Sequence, residues 1–98
     1  MWILKSDDEM VGELSERCRS IRLSQNMTQQ EAAERAGIPL RTYRRFEQEG
    51  QISLERFVAV LRALNRAGEL ESLLEPLPVR DLRELESPQP MRKRARKS

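Results

Sequence analysis

A chain of 98 residues has room for one domain and its tails, and one this short buries a comparatively small share of its surface, so a partner or dimerisation is expected to add stability. One cysteine excludes an intramolecular disulfide, the absence of histidine removes the usual general base, and no apolar run approaches the roughly 18 residues of a membrane span. The formal charge of +2 is uneven, because Arg92, Lys93, Arg94, Arg96 and Lys97 leave 13 basic against 16 acidic residues before them, so any affinity for a polyanion must come from a local face or from the tail.

The first ten residues, MWILKSDDEM, lack both a basic leader and a long apolar core, so a cytoplasmic protein is expected. Met1 to Leu4 is unusually apolar for a terminus and reads as a small strand or as cover for a partner. Ser6 and Glu9 have the spacing of a capping box, in which a hydroxyl and a returning carboxylate satisfy free N–H groups at a helix start. A first helix is expected from about Asp7 to Leu23, with Val11, Leu14, Cys18 and Ile21 on its inner stripe and Cys18 a buried, reduced thiol. Asp7, Asp8 and Glu9 suit the positive end of its dipole, and Arg17, Arg19 and Arg22 the negative end.

Thr28 and Glu31 repeat the capping arrangement, predicting a second helix from about Gln29 to Ala36 whose Ala32, Ala33 and Ala36 let another helix approach closely. Gly37 tolerates positive φ at its end, and Pro39 biases Ile38 away from helical dihedrals while starting the next helix. That third helix, about Leu40 to Gln48, puts Tyr43 and Phe46 inward as core residues rather than stacking platforms. Arg41, Arg44 and Arg45 fall on other faces, and Glu47 pairs with a neighbouring arginine or with backbone. After Glu49-Gly50-Gln51, Ser53 caps a fourth helix from Leu54 to Ala67 with Leu54, Phe57, Val58, Leu61 and Leu64 on a broad apolar face.

Gly68 allows a break before a short fifth helix, Glu69 to Glu75, carrying Leu70, Leu73 and Leu74 and stopped by Pro76 and Pro78. Residues 6–75 are read as one domain and 76–98 as an extension, acidic then basic and partly disordered. Val79 to Glu86 forms one short helix or stays extended, and Ser87 to Ser98 lacks the apolar residues to build structure alone.

Over residues 11–75 the chain resembles the five-helix domain of phage-repressor-like and XRE-family transcriptional regulators. Thr28, Gln29, Glu31, Ala33, Ala36, Gly37, Ile38, Thr42, Tyr43, Phe46, Glu47 and Gly50 carry the resemblance. It implies an all-α, compact five-helix helix-turn-helix domain, to which the composition of the last residues adds a flexible basic C-terminal tail. It further implies that the helix starting near Leu40 enters the major groove of double-stranded DNA, with Leu40, Arg41 and Arg45 reading bases and Gln29, Thr42 and Arg44 positioning the module on the backbone. The chemistry agrees: an arginine donates two parallel hydrogen bonds to guanine O6 and N7, and a leucine packs on a thymine methyl, each good bidentate pair contributing roughly 1–3 kcal/mol of discrimination. Arginines on an exposed helix usually serve solubility alone, and the capped frame with Gln29 is what turns the reading toward DNA. One departure is Pro39, which stands where the family often has a small polar cap and offers no side-chain cap of its own. In the tail, Arg92, Lys93, Arg94, Arg96 and Lys97 are candidate phosphate contacts, with solubility as the competing explanation.

The family reads palindromic operators as a homodimer, and Leu70, Leu73 and Leu74, Trp2 and Ile3, and Val79 to Leu85 are candidate dimer or partner surfaces; core completion is the simpler reading of the first three. The chain also resembles the antitoxins of HipA/HipB-type toxin–antitoxin pairs, which implies repression of its own operon and binding to a kinase-like HipA-type toxin. A stand-alone repressor and an adaptor that binds protein without DNA remain open alternatives. There is no glycine-rich phosphate loop and no closely spaced cysteine set for zinc, so neither an enzyme, a metal nor a cofactor is expected.

Overall fold

Capping decides where the helices begin. In the computed structural model, which describes residues 5–76, Ser6 Oγ accepts from the Glu9 N–H at 3.1 Å while Glu9 Oε1 accepts from the Ser6 N–H at 2.8 Å, opening helix α1 (Asp7–Ser24). Thr28 and Glu31 exchange the same pair of bonds at 3.0 and 2.8 Å to open α2 (Gln29–Ala36). Helix α3 (Leu40–Glu49) follows Pro39, and α4 (Leu54–Ala63) starts where Ser53 Oγ accepts from the Arg56 N–H at 3.2 Å.

The ends are as regular as the starts. Asn26, Gly37 and Asn65 each take positive φ just past α1, α2 and α4, and each time the next N–H reaches back to the last turn: Met27 to Arg22 O, Ile38 to Ala33 O, Arg66 to Leu61 O. Gly50, at φ +73°, closes α3 with one bond from its N–H to Phe46 O at 2.8 Å. Such dihedrals cost a side-chain-bearing residue about 1–2 kcal/mol, and asparagine is the usual substitute for glycine there.

Helix α2 packs against α3 and α4, and α1 packs against α3. The core gathers Cys18, Met27, Ala32, Ala33, Tyr43, Phe46, Val60 and Leu64, with Tyr43, Val60 and Leu64 fully buried. Phe46 is its hub, meeting Tyr43 edge-on at 6.1 Å and Phe57 at 5.8 Å between ring centres. Burial, reinforced by the negative charge of Glu47, pushes the Cys18 thiol up to about 11, so it stays protonated at neutral pH.

Three expectations are corrected. The inner face of α1 is Ser15, Cys18 and Arg22 with Ile21 half-buried, whereas Val11 and Leu14 are 41% and 36% exposed. An arginine displaces the expected apolar stripe because a carboxylate on another helix receives it. Helix α4 stops at Ala63 rather than Ala67, since Asn65 completes the terminating turn before Gly68 is reached, and Leu54 on its expected apolar face is 78% exposed. The fifth α-helix is replaced by a short 3-10 helix, Ala67–Glu71, so the described residues hold four α-helices. Leu73 and Leu74 are 62% and 92% exposed and Leu74 has φ 61°, so no packed face repays the nucleation of so short a helix. Met1 to Leu4, the Val79 to Glu86 segment and the basic tail lie outside the described residues. No described helix is long and apolar enough to cross a membrane.

Candidate DNA-binding surface

The α2–turn–α3 unit runs from the Thr28 cap to Gly50. Gly37 and Pro39 make its turn, where Ile38 is half-buried against the core and the α3 N-cap makes no side-chain hydrogen bond. Thr42 and Tyr43 N–H groups donate to Pro39 O at 3.0 and 3.1 Å, so the helix is started by backbone alone, as the missing polar cap predicts.

Tyr43 and Phe46 hold α3 to the core, which forces Arg41, Arg44 and Arg45 outward. Their spacing of three and four residues puts them on one exposed side of the helix. Arg41 and Arg44 make no ion pair with described residues, whereas Arg45 Nε meets Glu49 Oε1 at 3.3 Å in a pair exposed on both sides. Exposed pairs of this kind are worth about 0–1 kcal/mol and yield readily to a stronger anion. Leu40 and Thr42 are half-buried, Leu40 packing partly on the core, so each presents only part of its side chain outward. The tail cations Arg92, Lys93, Arg94, Arg96 and Lys97 are not among the described residues.

Gln29 is not free at the start of α2: its Nε2 donates to Glu47 Oε1 at 3.0 Å. Glu47 in turn takes both arms of Arg22, Nε at 2.7 Å on Oε2 and Nη2 at 3.0 Å on Oε1, while Arg22 Nη1 donates to Met27 O at 2.8 Å. The pair is almost wholly enclosed, with 8% and 2% of the two side chains exposed. Burial works against the Glu47 charge, but the hydrogen bonds from Arg22 and Gln29 outweigh it and hold the carboxyl below the usual carboxylate range. Its hydrogen bonds to Glu47, against the cost of burial, raise Arg22 further above its already high value. The Tyr43 hydroxyl lies close enough to favour ionised Glu47, yet makes no hydrogen bond of ordinary geometry, and burial pushes its own pKa up.

One carboxylate therefore ties α1, the start of α2 and the inner side of α3 together. Arg22, assigned from sequence to the helix dipole, and Glu47, left with a choice of partners, are the residues that sequence reasoning missed in this role. The signal for Glu47 was its phase, since it shares the inward face of α3 with Tyr43 and Phe46 and so had to meet a partner across the core.

This all-helical arrangement, a short capped helix, a tight turn and a second helix with an outward arginine face, is that of a helix-turn-helix DNA-binding regulator. The chain belongs to the helix-turn-helix family, whose model matches residues 19–70, more than half its length and the whole of the site. No curated protein matches the chain.

Proposed function

We propose that the protein is a sequence-specific transcriptional repressor that binds a palindromic operator as a homodimer, and that it is the antitoxin of a HipA/HipB-type pair. In this reading it represses its own operon and binds a kinase-like toxin. The single observation that carries DNA reading is the outward Arg41 and Arg44, without an ion pair among the described residues, beside Arg45 on a helix whose opposite side is fixed to the core. Arg41 and Arg45 read base edges with the exposed part of Leu40, while Gln29, Thr42 and Arg44 engage the backbone, and Arg92, Lys93, Arg94, Arg96 and Lys97 add phosphate contacts from the tail. The antitoxin role rests on the resemblance to HipB-type antitoxins. The protein acts by binding, with no catalysis and no cofactor of its own.

The test is purification of the full chain from its native cell, mass analysis of what accompanies it and footprinting of the bound DNA. A kinase-like protein together with a protected palindrome next to the protein's own gene is expected. A protected palindrome without that protein overturns the antitoxin role and leaves the repressor; no protected DNA overturns both.

A further inference from the structure

On the side of α4 away from the buried Val60 and Leu64, Glu55, Val58, Ala59 and Arg62 border a shallow groove of about 380 Å³ that Arg35 and Ala36 of α2 complete. Their spacing of three, four and seven residues puts the four α4 side chains on one face of the helix. Val58 and Ala59 are half-buried, while Glu55, Arg62 and Arg35 are exposed and make no ion pair with described residues. Glu55 and Arg62 stand about 10.5 Å apart along the axis at 1.5 Å per residue, too far to pair within the helix. The smaller side chains between them let a second helix approach closely.

We propose that a second copy of the chain docks on this face, α4 against α4 in an antiparallel two-fold pair, which rests on the homodimer proposed above and gives it a surface. A two-fold contact requires one patch to complement itself, each residue meeting in the other copy the residue that meets it in return. Glu55 and Arg62 lie symmetrically about the Val58–Ala59 midpoint. The register that sets Val58 against the partner's Ala59 therefore also sets Glu55 against the partner's Arg62, and Arg62 against the partner's Glu55. A parallel pair in register would bring like charges together, so the pattern selects the antiparallel one. Helix polarity agrees: Glu55 is in the first turn of α4 and Arg62 in the last, and antiparallel dipoles attract. Arg35 gives each face one cation in excess, so the two cross pairs work against a small net repulsion and the dimer is expected to be of modest affinity.

Charge reversal tests this register, read by sedimentation equilibrium of the full chain without DNA up to the millimolar range. The wild type is expected to form a concentration-dependent dimer. Glu55→Arg turns both cross pairs into repulsion, and so does Arg62→Glu. Each alone should raise the dimer Kd by about tenfold or more while keeping the helical circular dichroism signal. An equal mixture of the two variants should regain the wild-type affinity, because each copy then meets its opposite at both ends, and Glu55→Arg/Arg62→Glu should regain it by itself. A wild-type chain that stays monomeric overturns the proposal. So do single variants that dimerise as the wild type does, which place the contact on another face. A mixture and a double variant as weak as the singles deny the register and overturn it too. The operator footprint is read apart. A protected palindrome, with dimerisation indifferent to these charges, leaves the repressor standing and removes this face, whereas a charge-dependent dimer that protects no DNA does the reverse.

Discussion

At the scale of single residues, the Arg22–Glu47 pair decides how α3 is held against α1 and the start of α2. A buried ion pair is not by itself a gain in stability, since taking two charges out of water costs about as much as their attraction returns. Its value here is positional, because the carboxylate that fixes α1 to α3 also holds Gln29 at the start of α2. Removing one partner strands the other, so Glu47→Ala is expected to cost about 3–5 kcal/mol in denaturant unfolding. Replacing both residues by apolar ones of similar volume should recover much of that loss while still weakening DNA binding through Gln29. The pH dependence has a fixed sign. Glu47 is lowered in the folded state, so its contribution is complete above the ordinary carboxylate value of about 4.3 and is lost as pH falls through the lower folded value. Wild-type Tm should therefore fall more steeply than that of Glu47→Gln as pH drops below about 5. Parallel curves would deny Glu47 its part.

At the scale of elements, two glycines with nearly the same dihedrals are expected to respond differently. A methyl group on Gly37 meets nothing within 4 Å, so Gly37→Ala pays only for positive φ, about 1–2 kcal/mol. On Gly50 it would overlap Val11 Cγ1, so Gly50→Ala also pushes α1 from the end of α3 and should cost more in the same unfolding measurement. Equal losses would mean that Val11 yields freely. Local signals made the helix starts and the α2–turn–α3 unit legible in the sequence: Ser6 with Glu9, Thr28 with Glu31, and Gly37 before Pro39 act within a few residues. The inner face of α1 was not legible, because burial of Arg22 depends on Glu47, 25 residues away, which apolar periodicity does not register. The end of α4 carried a signal in Asn65, overlooked for the more familiar Gly68. The leucines after it had helical spacing but no surface to pack on. The outward placement of Arg41, Arg44 and Arg45 followed from Tyr43 and Phe46 alone, whereas the Arg45–Glu49 pair and the tether on Gln29 depended on side-chain geometry.

At the scale of the whole molecule, charge is divided between a net-negative body and a strongly basic end. Binding through phosphates releases counterions, and the slope of log K against log salt is about −0.9 for each phosphate neutralised on duplex DNA. Deleting residues 92–98 removes five cations, so the slope should become shallower by up to about 4.5 if all five engage phosphates. Preference among sequences should survive, because such contacts carry no base information. An unchanged slope would leave the tail a solubilising one. The central claim, that the outward face of α3 reads duplex DNA, is tested most directly by titrating the footprinted operator and a base-substituted copy with wild-type protein and with Arg41→Ala/Arg45→Ala. Both side chains are exposed, so the double variant should keep its fold and Tm while losing about 1–3 kcal/mol of discrimination for each arginine. A double variant that binds and discriminates as the wild type does would contradict the assignment of this face.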